Sequence, residues 1–113
     1  MRSTALGLTL AAAITAMSGN VNAADKFAAA DVLGWDQGQR DWYIQISVTM
    51  ASIYASQIDK PKGSCIASWY LKSAQDRAVG NERITEVFRE FPDHHPGTAI
   101  FAVLNMQCGI LSP

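Results

Sequence analysis

The chain has 113 residues and a formal net charge of −1, and its first 23 residues read as an export leader, leaving residues 24–113 as one small domain. That part holds all ten aromatic residues, and eight Lys/Arg against ten Asp/Glu without any run of like charge. Such a composition excludes a disordered chain and a basic surface for nucleic acid or anionic lipid.

Arg2 supplies a positive start, Ala5 to Met17 a thirteen-residue apolar stretch, and Val21-Asn22-Ala23 the small or modest side chains of a cleavage site. As a helix the stretch rises about 20 Å, short of the roughly 30 Å hydrocarbon core, so a signal peptide is expected rather than an anchor. The expected location is the periplasm, with no membrane attachment after cleavage. In that oxidising compartment the only two cysteines, Cys65 and Cys108, are expected to pair. Closing a loop of about 44 residues is worth on the order of 4 kcal/mol in the chain-entropy account.

Ala24 to Gly34 reads either as a short helix started by Asp31 or as a lead-in pinned by its apolar residues. Asp36 then stands as an N-cap, with Gln39 as reciprocal partner and Trp35 as a staple, opening a long helix over roughly Gln37 to Gln57. Two apolar stripes run along it at helical spacing: Tyr43, Ile46, Met50, Ile53 and Tyr54, and Ile44, Val48, Ala51, Ala55 and Ile58. Only a narrow polar strip remains, so this is expected to be the central helix of a bundle. Small residues at Ser47, Ala51, Ser52 and Ala55 suit the close approach of a neighbour.

Asp59-Lys60-Pro61-Lys62-Gly63 reads as a turn, and Ser64 as the cap of a helix opened by Cys65 and carrying Trp69, Tyr70 and Leu71. Gly80-Asn81 either breaks that run or marks a close approach by another backbone. Ile84, Val87, Phe88 and Phe91 at i, i+3, i+4 and i+7 make a further helix, which Pro92 stops. After Asp93-His94-His95 the last helix runs from Pro96 to Cys108. Gly109 is its left-handed end and Ile110 the hydrophobic contact of that cap. The fold class is all-α: a bundle of four to five helices with one disulfide, in which the two cysteine-bearing helices lie antiparallel.

Asp93, His94 and His95 form the one cluster that resembles a reactive site, but adjacent side chains in a turn diverge and no HExxH or Cys/His spacing accompanies them. They read as a solvated turn at a helix N-terminus, or as a pH-sensitive contact. No GxSxG elbow or phosphate-cradling glycine loop is found, and Glu82, Glu86 and Glu90 with interleaved Arg83 and Arg89 describe a solvent face. Catalytic, cofactor and metal sites are therefore not expected. Trp69-Tyr70 and Trp42-Tyr43 are neighbouring pairs that cannot all face inward, and an exposed pair is a candidate protein anchor.

The run Tyr43-Ile44, then Cys65-Ile66, then the stripe ending Phe91-Pro92, then Pro96, Ala99, Val103, Leu104 and Cys108, resembles the Tai-type immunity proteins. The similarity covers about Trp42 to Gly109, without the second cysteine pair common in that family. It implies a small exported helical protein associated with type VI secretion that protects against a peptidoglycan amidase toxin by binding it. It also implies surface loops that occlude the toxin's active site, here Asp93-His94-His95 and the Trp69-Tyr70 helix, and a capacity to form homodimers. A looser resemblance is to acid-activated periplasmic chaperones of the HdeA kind, whose chains continue in a charged tail where this one stops soon after Cys108. The expectation is a non-enzymatic protein-binding protein, immunity-like first and chaperone-like second.

Overall fold

The computed structural model describes residues 26–112, so the expected leader lies outside the described residues. Helices α1 (Ala29–Leu33), α2 (Gln37–Ile58), α3 (Lys60–Ile66), α4 (Ala74–Glu90) and α5 (Pro96–Cys108) follow one another, and a π-helical turn over Ala67–Leu71 continues α3. The described residues contain no strand. The fold is the all-α bundle expected, and Cys65 and Cys108 are bonded with an S–S distance of 2.07 Å.

Helix α1 is too short to hold itself together, and its free amides are satisfied from elsewhere. Ala29 N donates to His94 O at 2.8 Å and Ala30 N to Pro92 O at 2.9 Å. Asp31 does not start the helix; it lies inside the first turn, where its carboxylate accepts from Ala28 N at 2.9 Å.

Asp36 caps α2 as expected, accepting from Gln39 N at 2.9 Å. Trp35 stacks on Phe27 and meets the edge of Tyr43. Hydroxyls inside α2 bond back to their own helix, Ser47 to Tyr43 O and Thr49 to Gln45 O, so the helix carries polar residues without needing charges. One line of α2 is buried: Ile44, Val48 and Ser52. The other stripe is not, for Ile46, Met50, Ile53 and Tyr54 stand exposed, as does Ile58 from the inner set. The central-helix expectation is corrected: the described part of the bundle has no element to cover that face.

The expected turn at Asp59 to Gly63 is a helix. Asp59 both closes α2, donating its N–H to Ala55 O, and caps α3, accepting from Lys62 N. Pro61 is tolerated because the first turn of a helix has no use for its N–H. Gly63 is required by packing, since a Cβ there would meet Ser56 Oγ at 1.9 Å and Ser56 Cα at 2.8 Å. Ser52 Oγ donates to Gly63 O at 3.2 Å across the same contact. Cys65 therefore lies well inside a run beginning at Lys60 rather than opening a helix, and the antiparallel expectation loses its premise.

Ser73 starts α4, accepting from Asp76 N at 3.0 Å, and a break at Gly80-Asn81 does not occur. The helix is continuous through Gly80. Of its expected stripe, Ile84, Val87 and Phe88 are buried, while Phe91 leaves the helix at its end and stays half exposed. Pro96 and Gly109 bound α5 as expected, Gly109 with φ of 59°, and Ile110 packs against the core. The core itself joins Ile44, Ile66, Tyr70, Ile84, Phe88, Ile100 and Leu104 from five segments.

Candidate functional site

The loop between α4 and α5 is held from three sides. Its carbonyls at Pro92 and His94 receive the first amides of α1, and His95 caps α5 by accepting from Gly97 N on Nδ1 at 3.0 Å. The His95 ring meets the edge of Phe27 with centroids 5.5 Å apart, and the His94 ring meets Phe91 at 5.3 Å. Asp93, His94 and His95 are all exposed, yet their backbone is fixed by the groups on either side. This is the turn at a helix N-terminus that the sequence led one to expect, with His95 as the cap.

His94 also borders a groove of about 330 Å³ between α4 and α5. Its floor is apolar, from Val87, Ala99 and Val103, with Phe91 and Met106 standing at its edge. Arg83, Glu90 and His94 supply the polar rim. Arg83 is engaged by Glu86 on the solvent face of α4, at 3.9 Å, and Arg89 by Glu82 at 3.5 Å. Among the described residues no group of three His, Cys, Asp or Glu is placed to hold a metal ion.

The second sequence candidate divides. Tyr70 is wholly buried under α4 and donates its hydroxyl to Asn81 Oδ1, so it is a core residue and not a contact residue. Burial pushes its phenol up to about 12, with the Asp41 carboxylate adding to the shift. Trp69 is half-buried beside it, with ring centroids 6.0 Å apart. The structure thus gives the two candidates different roles: Tyr70 and Trp69 pack in and against the core, while His94 borders the groove and His95 caps α5.

The sequence reading missed two features. One is the aromatic cluster of Phe27, Trp35, Tyr43 and His95, whose members come from four segments and whose spacing carries no local signal. The other is the open side of α2, where Trp42 joins the exposed stripe. From Trp42 to Ile58 the chain has no Lys, Arg, Asp or Glu, which was visible as a pattern but was read as core. No helix of the described residues is long and apolar enough to cross a membrane. No protein family, curated protein or solved structure matches the chain.

Proposed function

We propose that this is an exported, non-enzymatic protein that binds and inhibits a cell-wall hydrolase, using the groove between α4 and α5 and the loop at its end. The observation that carries the reading is the pairing of an apolar floor with a polar rim, Arg83 and Glu90 from α4 and His94 from the pre-fixed loop at its end. Interfaces between separately folded partners have this composition, with apolar anchors ringed by polar groups. Phe91 and Met106 are the anchors, both exposed at the edge of the groove. Arg83, Glu90 and His94 give the rim its specificity. Because the capping bonds already order the loop, little entropy is lost when a partner is bound. The resemblance to immunity proteins supplies the class of partner, a peptidoglycan amidase.

The reading predicts an amidase encoded beside the gene, which on purified peptidoglycan should lose its activity as the protein is titrated to one chain per enzyme. Phe91→Ala and Met106→Glu should each weaken that inhibition tenfold or more while leaving the fold intact. An amidase that stays fully active in excess protein overturns the reading. Suppression of aggregation of unrelated proteins on acidification, without inhibition, would replace it with the chaperone function.

A further inference from the structure

We propose that the N-terminal half of α2 carries a saccharide site, a groove that takes a neutral, N-acetylated oligosaccharide by stacking its sugar rings on tryptophan. Helical spacing sets Gln39, Trp42, Tyr43 and Ile46 at i, i+3, i+4 and i+7 on one face of α2, with Ser47 one turn beyond Tyr43. Trp35, just before the cap, joins them in lining a groove of about 510 Å³, a volume in the range of small-molecule sites.

Tryptophan is highly buried on average, yet Trp42 is 60% exposed and Trp35 36%, so ring surface stands open along the groove. The wall they belong to is held in place. Trp35 stacks on Phe27 with centroids 6.1 Å apart, Tyr43 meets it nearly at right angles at 5.7 Å, and Arg40 donates to Trp35 O at 3.3 Å. A ligand that binds here therefore orders little that was free.

The lining selects the ligand by exclusion. No charged side chain lines the groove, so an ion drawn into it would be desolvated without a counter-charge. A wholly apolar ligand would leave polar groups facing it unpaired. Gln39 brings an exposed amide that both donates and accepts, and Ser47 Oγ, whose proton goes to Tyr43 O at 2.8 Å, is left to accept. A quaternary ammonium suits the rings but offers nothing to either of these groups. What remains is a neutral molecule with an apolar face and a polar edge. A β-linked pyranose has that form: its ring C–H groups, slightly positive, lie against the negative face of an indole, while its equatorial hydroxyls point outward as donors and acceptors. An acetamido group completes the match, its N–H and C=O answering the Gln39 amide and its methyl meeting Ile46. The volume leaves room for more than one ring, hence an oligosaccharide. This groove shares no lining residue with the one between α4 and α5, so either assignment can fail without the other.

Titrating the purified protein with a β-linked tetramer of N-acetylglucosamine is expected to change its tryptophan fluorescence with a Kd on the order of 1 mM or tighter. Trp42→Ala should weaken binding at least tenfold, with helix content and Tm kept because residue 42 is exposed. Gln39→Ala should weaken it severalfold and narrow the preference over the matching glucose tetramer, which lacks the acetamido groups. Tyr54→Ala, which removes a comparably exposed ring further along α2 but outside the groove, should leave Kd unchanged. Sedimentation with insoluble peptidoglycan tells the sources apart: co-sedimentation that the tetramer competes away places the ligand in the wall, and binding of the tetramer without co-sedimentation makes it a soluble saccharide. No binding of the tetramer at ~10 mM, binding indifferent to Trp42→Ala, or an equal loss in Tyr54→Ala overturns the proposal, as does binding of choline in place of the sugar.

Discussion

Gly80 lies within a continuous helix, where alanine ordinarily gains about 1 kcal/mol over glycine. Here that gain is outweighed, because a Cβ would lie 2.5 Å from Tyr70 Cδ2, and the ring is fully buried with no room to retreat. Overpacking of this kind costs about 1–3 kcal/mol, so Gly80→Ala should lower Tm by several degrees in a calorimetric scan instead of raising it. Tyr70 carries a second prediction. Burial pushes its phenol from the ordinary 10.0 up to about 12, and burial also raises Tyr43. Between pH 10 and 12 the unfolded chain loses the Tyr70 proton while the folded chain keeps it, so stability falls as pH rises through that window. Denaturant midpoints measured from pH 9 to 12 should drop, and Tyr70→Phe should flatten much of the drop.

Elements were legible in the sequence wherever a local rule is sufficient. Asp36, Pro96 and Gly109 mark helix ends by capping geometry that depends only on neighbours, and all three ends stand where that geometry puts them. The same rule was available at Ser73, three residues before Asp76, but the Gly80-Asn81 pair is the stronger breaker in isolation. It does not break the helix because Gly80 answers to the ring of Tyr70, ten residues earlier and on another element, which no local cue announces. Pro61 and Gly63 deceived for a related reason: each is a poor helix residue by propensity, and each is excused by its place, one in a first turn and one against Ser56. Periodicity located both stripes of α2, but it cannot say which of two apolar stripes meets the core. That depends on how many neighbours a short chain can supply. Of the candidate site, the loop of Asp93, His94 and His95 was legible and its groove was not, since Val87, Ala99 and Val103 gather only once α4 and α5 are packed.

At the scale of the whole molecule the disulfide divides the chain unevenly. The loop it closes, with a separation of 43 residues, contains the π-helical turn, α4 and α5, and hence Tyr70, Phe88 and Leu104 of the core. Helices α1 and α2 lie outside it and are tied to it by packing and by the hydrogen bonds from Ala29 and Ala30. Opening the bond leaves these folded-state contacts in place and chiefly frees the unfolded chain, so the loss is borne by the equilibrium as a whole. Replacing both cysteines by alanine should cost about 4 kcal/mol, a large share of the 5–15 kcal/mol typical of a domain. Tm should then fall by on the order of 20 °C. Because the released unfolded ensemble is more expanded, the denaturant m-value should rise together with the loss. A drop in stability with an unchanged m-value would instead place the effect in the folded state, at the packing of Cys65 and Cys108 against α3 and α5.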